Sequence, residues 1–542
     1  MFENPFGART YLVIDDYGDM RTTIKGLLRS LGASEIVSAR NAREALPLLE
    51  QQPFDVVLCD YNLGPGKNGQ QLLEEARYRK LLQLSAIFIM ITAENTREMV
   101  MAAVEYEPDS YLSKPFNKEL LRTRLEKLFQ RKHDFAAINQ AAQHKDFAQA
   151  IELLDQGIAG KPRNMSDLLK LKADFCLRAK RLDEAQQIYE QVLAARDIPW
   201  ARLGLGKVQY ARKQFVEADE TFKHLIANFK TVTPAYDWLA KTQRALGFAD
   251  EAQQTLQDAL QLSPKAIKRQ QALGELALQS GDAALAEHAF SQAVQLGQHS
   301  IYRHPAMYAG LAQAKSGQGD HAAALQIVDD MQHDFDDPTA RFYAASTTAS
   351  VQQAQGNSDA AREALTQAGQ AFAKLGEHAP GDIALQMART LARLGDSEQA
   401  DSVLRRAIQN NHDSDEFLLQ ATDAYRDCGL GEDAENQVLK IRQGVVDMNN
   451  RGVKLIGAGN YPEAIALFTQ AADGMANNLV INLNAARAMI MLMEKQGADR
   501  GVLGKTRKYV ERSRRIAPDD PRLGAIMKRF QKLMNAPLAA RS

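Results

Sequence analysis

The sequence predicts two folds in tandem: a doubly wound α/β domain with five parallel strands over residues 1–131, then an all-α solenoid over residues 132–542. Three observations predict this. Short β-branched runs alternate with helix-period segments in the first part alone. Several of those runs end on polar residues, Asp15, Asp16, Asp60, Thr92 and Lys114 among them. Past residue 131 the strand signal stops, and an alanine-centred pattern recurs about every 34 residues.

The elements follow in order. Tyr11–Ile14 is a strand ending on Asp15-Asp16. A helical pattern runs through Met20, Ile24, Leu27, Leu28 and Leu31 and closes at Gly32. Ile36-Val37 is a second strand and Ala42–Leu49 a helix. Asp55–Leu58 is a third strand, in an apolar run that ends on Asp60, and Gly64, Pro65 and Gly66 stop it. Gly69–Leu82 reads as a helix with Leu72, Leu73, Ala76 and Leu81 on one face. Ala86–Ile91 is a fourth strand ending at Thr92-Ala93. Asn95–Val104 is a helix that Asn95 can cap. Ser110–Leu112 is a fifth strand, closed by Ser113-Lys114-Pro115, and Asn117–Phe129 is a last amphipathic helix.

In such sheets the functional loops lie beyond the carboxyl ends of the strands. Asp15, Asp16, Asp60, Thr92 and Lys114 are therefore expected on one rim. Three carboxylates in reach of each other repel, and a hard divalent cation removes that repulsion. Mg²⁺ prefers oxygen ligands and keeps several waters. A metal, an acceptor carboxylate, a hydroxyl and an ammonium are the parts that stabilise charge on a transferring phosphoryl group.

These residues, with Tyr111 and Pro115, stand in the order and spacing of a known family. The first part resembles the receiver domain of two-component response regulators. The resemblance implies that Asp60 is the phosphoacceptor. It implies that Asp16 and Asp60 ligate Mg²⁺, that Asp15 helps through water and that the Asn62 backbone carbonyl is a further ligand. Thr92 and Lys114 would hold the phosphoryl oxygens, and Tyr111 would be the aromatic switch. In the family the Lys114–Pro115 bond is often cis. The loop from Asp60 to Gly69 is about one residue longer than the usual form. Asn62 and Glu94, two past the acceptor and two past the threonine, are similar to the pair in chemotaxis-type receivers. That implies a short-lived phosphoryl group.

The second part is rich in Ala, Gln and Leu. Its repeat is carried by Ala150, Ala185, Ala218, Ala252, Ala286, Ala324, Ala361, Ala400, Ala434 and Ala464. A glycine often stands five residues before the alanine, as at Gly247, Gly281, Gly319, Gly356, Gly395, Gly429 and Gly459. A large apolar residue often stands four after it, as at Leu154, Tyr189, Phe222, Leu256, Phe290, Leu404 and Phe468. The glycine breaks between paired helices, the alanine lets them pack closely, and the large residue fills the gap. A single pair cannot bury its stripe, so stacking is obligatory. Spacing is loosest between Ala286 and Ala400, where longer helices or loops are expected. The pattern resembles the tetratricopeptide repeat, in about ten helix pairs. The resemblance implies a groove, lined by the first helix of each pair, that binds a protein or peptide. The family's carboxylate clamp is not expected: Asn484 fits one position, but Val453 stands where a second Asn belongs.

The remaining features set bounds. Lys plus Arg number 66 and Asp plus Glu 67, a net charge of -1, which argues against a DNA-binding protein driven by bulk charge. Cys59, Cys176 and Cys428 are far apart, with no metal spacing. His299 and His304 bring no other ligand type with them. No stretch is long and apolar enough for a membrane span, and Met1–Arg9 is too short and polar for a signal peptide. A cytoplasmic protein is expected. Gly501–Thr506 lacks the first glycine of a phosphate loop, since Asp499 stands there. Lys505–Arg515 is a basic run on a helical stretch, read as a solvated face, with an acidic partner or RNA as the functional alternatives.

The expected function is a phosphorelay response regulator that takes phosphate from a cognate histidine kinase or phosphotransfer protein and acts by protein binding. No catalytic set of an enzyme is seen beyond the receiver's own phosphotransfer chemistry. A homodimer through the receiver is a further expectation. Two alternatives stay open: a helical-repeat phosphatase acting on another receiver, and a scaffold whose receiver does not switch.

Overall fold

The computed structural model describes residues 4–83, 85–93, 108–143, 146–160, 164–376, 379–430, 433–518 and 520–535. Glu94 and the helix expected over Asn95–Val104 lie outside the described residues. The chain forms two compact units, Met1–Gly310 and Leu311–Ser542.

Strands β1 (Thr10–Ile14), β2 (Glu35–Ala39), β3 (Val56–Asp60), β4 (Ile87–Thr92) and β5 (Ser110–Ser113) make one sheet in the order β2-β1-β3-β4-β5. Every recorded pairing is parallel. β3 and β4 are buried along their whole length, as central strands covered on both faces must be. Alternate residues feed two cores. Val13, Leu58 and Ile89 pack with Ile24 and Leu28 of helix α1 (Gly18–Leu31) and with Leu121 and Leu125 of the helix Lys118–Asp134. Leu12, Val57 and Phe88 pack with Ala45 of α2 (Ala42–Gln51) and Leu72 of α3 (Gly69–Tyr78).

Asparagines start three of these helices. Asn41, Asn68 and Asn117 each accept a backbone N–H from three residues on, and Asn68 with Gln71 forms a reciprocal capping box. Gly32 ends α1 in the left-handed region, as its position predicts. The helix expected to run to Leu82 ends at Tyr78 instead. Lys80 takes φ 57°, and the Leu81 N–H donates to the Ala76 carbonyl. That closure usually uses glycine, so nothing in the composition announced it.

The rest of the first unit is paired helices from Ala136–Gln143 to Pro305–Gly317, the last of which crosses into the second unit. All the alanines that carry the repeat are buried. The glycines five residues ahead all sit at φ between 63° and 86°. In two copies Lys180 and Lys213 occupy that place, at φ 59° and 62°. The large residues four after the alanine are buried too, and where they are aromatic the sequence makes room for them. A methyl group at Gly206 would lie 2.5 Å from the Phe222 ring, and one at Gly274 would lie 2.7 Å from Phe290. Gly204 bears the same relation to Tyr189.

In the second unit the helices Pro338–Ala354 and Ser358–Leu375 have 17 and 18 residues, against 14 in most pairs, which accounts for the loose spacing there. The opposite happens after Ala434. Instead of two helices with a break, one helix of 24 residues runs from Ala434 to Gly457. It ends one pair and begins the next, which explains the short spacing between Ala434 and Ala464. Gly452 within it accommodates Phe468.

Candidate functional site

Four strands deliver their carboxyl ends to one rim of the sheet. β1 runs into Asp15 and Asp16, β3 ends on Asp60, β4 ends on Thr92, and β5 is followed by Lys114. Parallel register places them side by side: Ile14 lies beside Cys59, Asp60 beside Ile91, and Thr92 beside Ser113. Asp15 is fully buried, Asp60 is 6% exposed, Thr92 is buried and Asp16 is exposed. The rim is thus sheltered beneath and open above.

One cation holds the cluster. Lys114 Nζ donates to Asp15 Oδ2 at 2.8 Å and to Asp60 Oδ2 at 2.9 Å. The Tyr61 N–H donates to Asp60 Oδ1 at 2.9 Å and the Tyr17 N–H to Asp15 Oδ1 at 2.9 Å. Arg21 donates to the Asp15 carbonyl, fixing that turn from α1. The Lys114 N–H donates to the Thr92 carbonyl at 2.7 Å, and the bond from Lys114 to Pro115 is cis.

Burial raises the Asp60 carboxyl above its ordinary value; Lys114 and the Tyr61 N–H pull it back, and Asp15 adds to the rise. Burial opposes the charge on Lys114, but Asp15 and Asp60 outweigh it and hold the ammonium more firmly protonated than usual. A carboxylate kept partly dry against a fixed cation is an arrangement that can stabilise charge developing on a reacting group.

Asp15, Asp16 and Asp60 each offer a carboxylate oxygen within 4.8 Å of the others. An all-oxygen set of this kind, with one member open to solvent, fits a hard divalent cation that keeps waters. The loop from Tyr61 to Asn68 passes over the cluster. A methyl group at Gly64, which has φ 73°, would lie 3.8 Å from Asp16 Oδ2. Asn62 is at the exposed start of this loop. Tyr111 is half-buried against the core beneath α3, and burial first, then Tyr61, pushes its phenol well above the ordinary range.

The profile for the response regulator receiver domain matches residues 11–126, and profiles for the tetratricopeptide repeat match residues 141–197 and 272–338. Chemotaxis protein CheY-3 of Vibrio cholerae is 38% identical over 120 residues, which is 22% of this chain and 91% of that protein. The chain belongs to the response regulator receiver family. Chemotaxis protein CheY of Pseudomonas aeruginosa is 36% identical over 120 residues, 22% of this chain and 95% of that protein. Among solved structures, chemotaxis protein CheY4 of Vibrio cholerae is 26% identical, covers 22% of this chain and 99% of its own, and has a TM-score of 0.21. The receiver domain is followed by tetratricopeptide repeats.

Sequence reasoning missed how the receiver's α3 is tied down. Gly69 at its start lies so close to the Asp60 carbonyl that a methyl group there would overlap it. Glu75, buried, binds Lys67 of the loop above the site and also Arg79, which reaches Glu50 of α2. Glu74, also buried, accepts a hydrogen bond of 3.4 Å from Ser300 Oγ, 226 residues downstream between two repeat helices. A carboxylate on the covered face of a surface helix was the available signal, but its partner could not be read from the chain.

In the array, Asn484 donates to Asn449 at 2.8 Å rather than facing a second clamp residue, and Val453 is 42% exposed. The glycine-rich stretch at 501–506 lies inside the helix Arg500–Ile516, with Asp499 as its cap. The basic run is not wholly a solvated face. Arg512 is 5% exposed, and it donates to the Ala472 carbonyl at 3.1 Å and to Asp473 at 3.4 Å. Lys508 joins it on Asp473 at 2.7 Å. No described helix is long and apolar enough to cross a membrane.

Proposed function

We propose that Asp60 accepts a phosphoryl group and that the repeats carry the response through protein binding. The observation that carries this is the convergence of Asp15, Asp60, Thr92 and Lys114 at one sheltered rim. Asp16 and Asp60, with Asp15 and the Asn62 carbonyl, would hold Mg²⁺, which supplies charge neutralisation to the transfer. A phosphohistidine on a kinase or phosphotransfer protein is the donor. Its N–P bond breaks as an Asp60 Oδ–P bond forms, and the released imidazole takes up a proton from solvent. Lys114 and Thr92 then hold the phosphoryl oxygens. The division of labour follows residues 1–131 and 132–542, in a protein whose workplace is the cytoplasm.

The added charge of about -2 disturbs the ion pairs that Lys114 makes now. Moving a two-state switch from mostly off to mostly on takes about 5.5 kcal/mol, within the scope of several charge-assisted bonds in a dry site. Two routes lead from the rim to the repeats. Tyr111 and the helix Lys118–Asp134 form one, and α3 with its Glu74–Ser300 contact forms the other.

Hydrogen exchange on the full chain, with and without Mg²⁺ plus beryllofluoride, tests both parts. Slower exchange at the 61–69 loop together with a change at 298–304 supports the whole proposal. A change at the loop alone leaves the acceptor standing and removes the α3 route. No change anywhere contradicts the assignment of the site.

A further inference from the structure

The second unit carries a recess that the expected groove does not include. It has a volume of about 760 Å³ and is walled by Ser397–Asn410, by residues 437–448 of the helix Ala434–Gly457 and by Tyr461–Gly474 with the residue after it. Ser397–Asn410 and Tyr461–Gly474 are second helices of their pairs, and the long helix between them ends one pair and begins the next. Asn478 Nδ2 donates to the Gln409 carbonyl at 2.7 Å, and the Asn477 N–H donates to Asn410 Oδ1 at 3.2 Å. The loop after Tyr461–Gly474 is therefore tied to the end of Ser397–Asn410.

Its chemistry is one-sided. The floor is apolar, from Ile441, Val445, Met448, Leu467 and Met475. Arg405 and Lys440 stand at its edges, and an adjoining recess of about 430 Å³ adds Arg406. The nearby acids are already compensated. Asp401 binds Arg405 at 2.6 Å, and Asp473 binds Lys508 and Arg512. Lys440 is exposed. Gln437, Ile441, Gly444 and Met448 form one stripe over three turns, a length of about 16 Å on a helix.

Gly444 is the sharpest indication. It lies in the interior of a 24-residue helix, where glycine is among the weakest choices, and an added methyl group would meet nothing within 4 Å. Among the described residues no packing requires it, unlike Gly452, which accommodates Phe468. Gly474, at the facing helix end, is open in the same way. Bare backbone on both sides of an apolar trough lets another backbone come close.

We infer that this recess seats an acidic amphipathic helix of a partner protein, with apolar side chains in the trough and carboxylates on Lys440. Methionines on the floor suit an inserted side chain of irregular shape. The inference does not rest on phosphorylation of Asp60.

The test places a benzophenone amino acid at Gln470 of the full chain, crosslinks in the native cells, and locates the captured segment by mass spectrometry. That segment, made as a labelled peptide, is then titrated against the purified chain. The expected result is a segment with carboxylates three or four residues apart beside an apolar stripe. Its affinity should fall at least tenfold in Lys440→Glu and in Gly444→Leu. Gly444→Leu should also melt higher than the parent, which separates loss of binding from loss of fold. No crosslink, a second copy of this chain, a segment lacking acidic residues, or unchanged affinity in both variants would each overturn it.

Discussion

The receiver sheet and the repeat array bury apolar surface in different ways, and the difference decides what each can do. In the sheet, β-branched strands covered on both faces leave polar groups only at their ends, so charge collects at one rim around Asp60. In the array, small residues face large ones pair by pair, Gly206 against Phe222 and Gly274 against Phe290, and polar groups are spread along the helices. One region concentrates reactivity; the other extends surface. The two regions touch where Glu74 of α3 accepts a hydrogen bond from Ser300, and the proposed signal would pass there.

The contrast can be broken most severely at the rim. Lys114→Ala removes the cation shared by Asp15 and Asp60, and phosphotransfer from acetyl phosphate should slow on the order of 10²-fold. Measured rates within twofold of the parent would mean that the cluster does not act as a unit. In the array, Gly206→Ala forces a methyl group against Phe222 and should cost about 1–3 kcal/mol in denaturant unfolding, despite alanine's better helix propensity. Gly444→Ala should do the reverse, gaining about 0.5–1 kcal/mol. Equal effects at the two sites would erase the distinction between packed and open glycines.

Smaller effects sharpen the same picture. Lys213→Gly relieves a left-handed lysine and should stabilise by about 1 kcal/mol. His412 is buried and close to Asn478, with ring nitrogen and amide 2.9 Å apart. Burial lowers its pKa, with Arg442 adding to the fall and Asp413 opposing it. A depressed value means the unfolded chain takes up the proton first. The stability it contributes is therefore present above the ordinary histidine value of about 6.5 and is lost as pH falls below it. Melting of the parent and of His412→Gln should converge as pH is lowered through that window, while a constant gap would contradict the argument.

Much of this was legible in the chain. Strands, rim residues and repeat alanines declared themselves because each depends on local pattern. The strand ends carry Asp, Thr and Lys where loops must begin, and the alanines recur at a fixed period. What stayed hidden was either a conformation without its usual residue or a contact across distance. Lys80, Lys180 and Lys213 adopt left-handed backbones that glycine normally signals. The long helix after Ala434 fuses two elements because no Pro interrupts it and its internal glycines keep helical geometry. The Glu74–Ser300 contact joins residues 226 apart, beyond any periodicity. The recess under Gly444 arises from how three helices stack.

The most direct measurement is the intact mass of the full chain after incubation with acetyl phosphate and Mg²⁺, compared with that of Asp60→Asn. The account predicts one added phosphoryl group on the parent, none on the variant, and a variant that is folded and melts no lower. A phosphoryl adduct of equal yield on Asp60→Asn would contradict it.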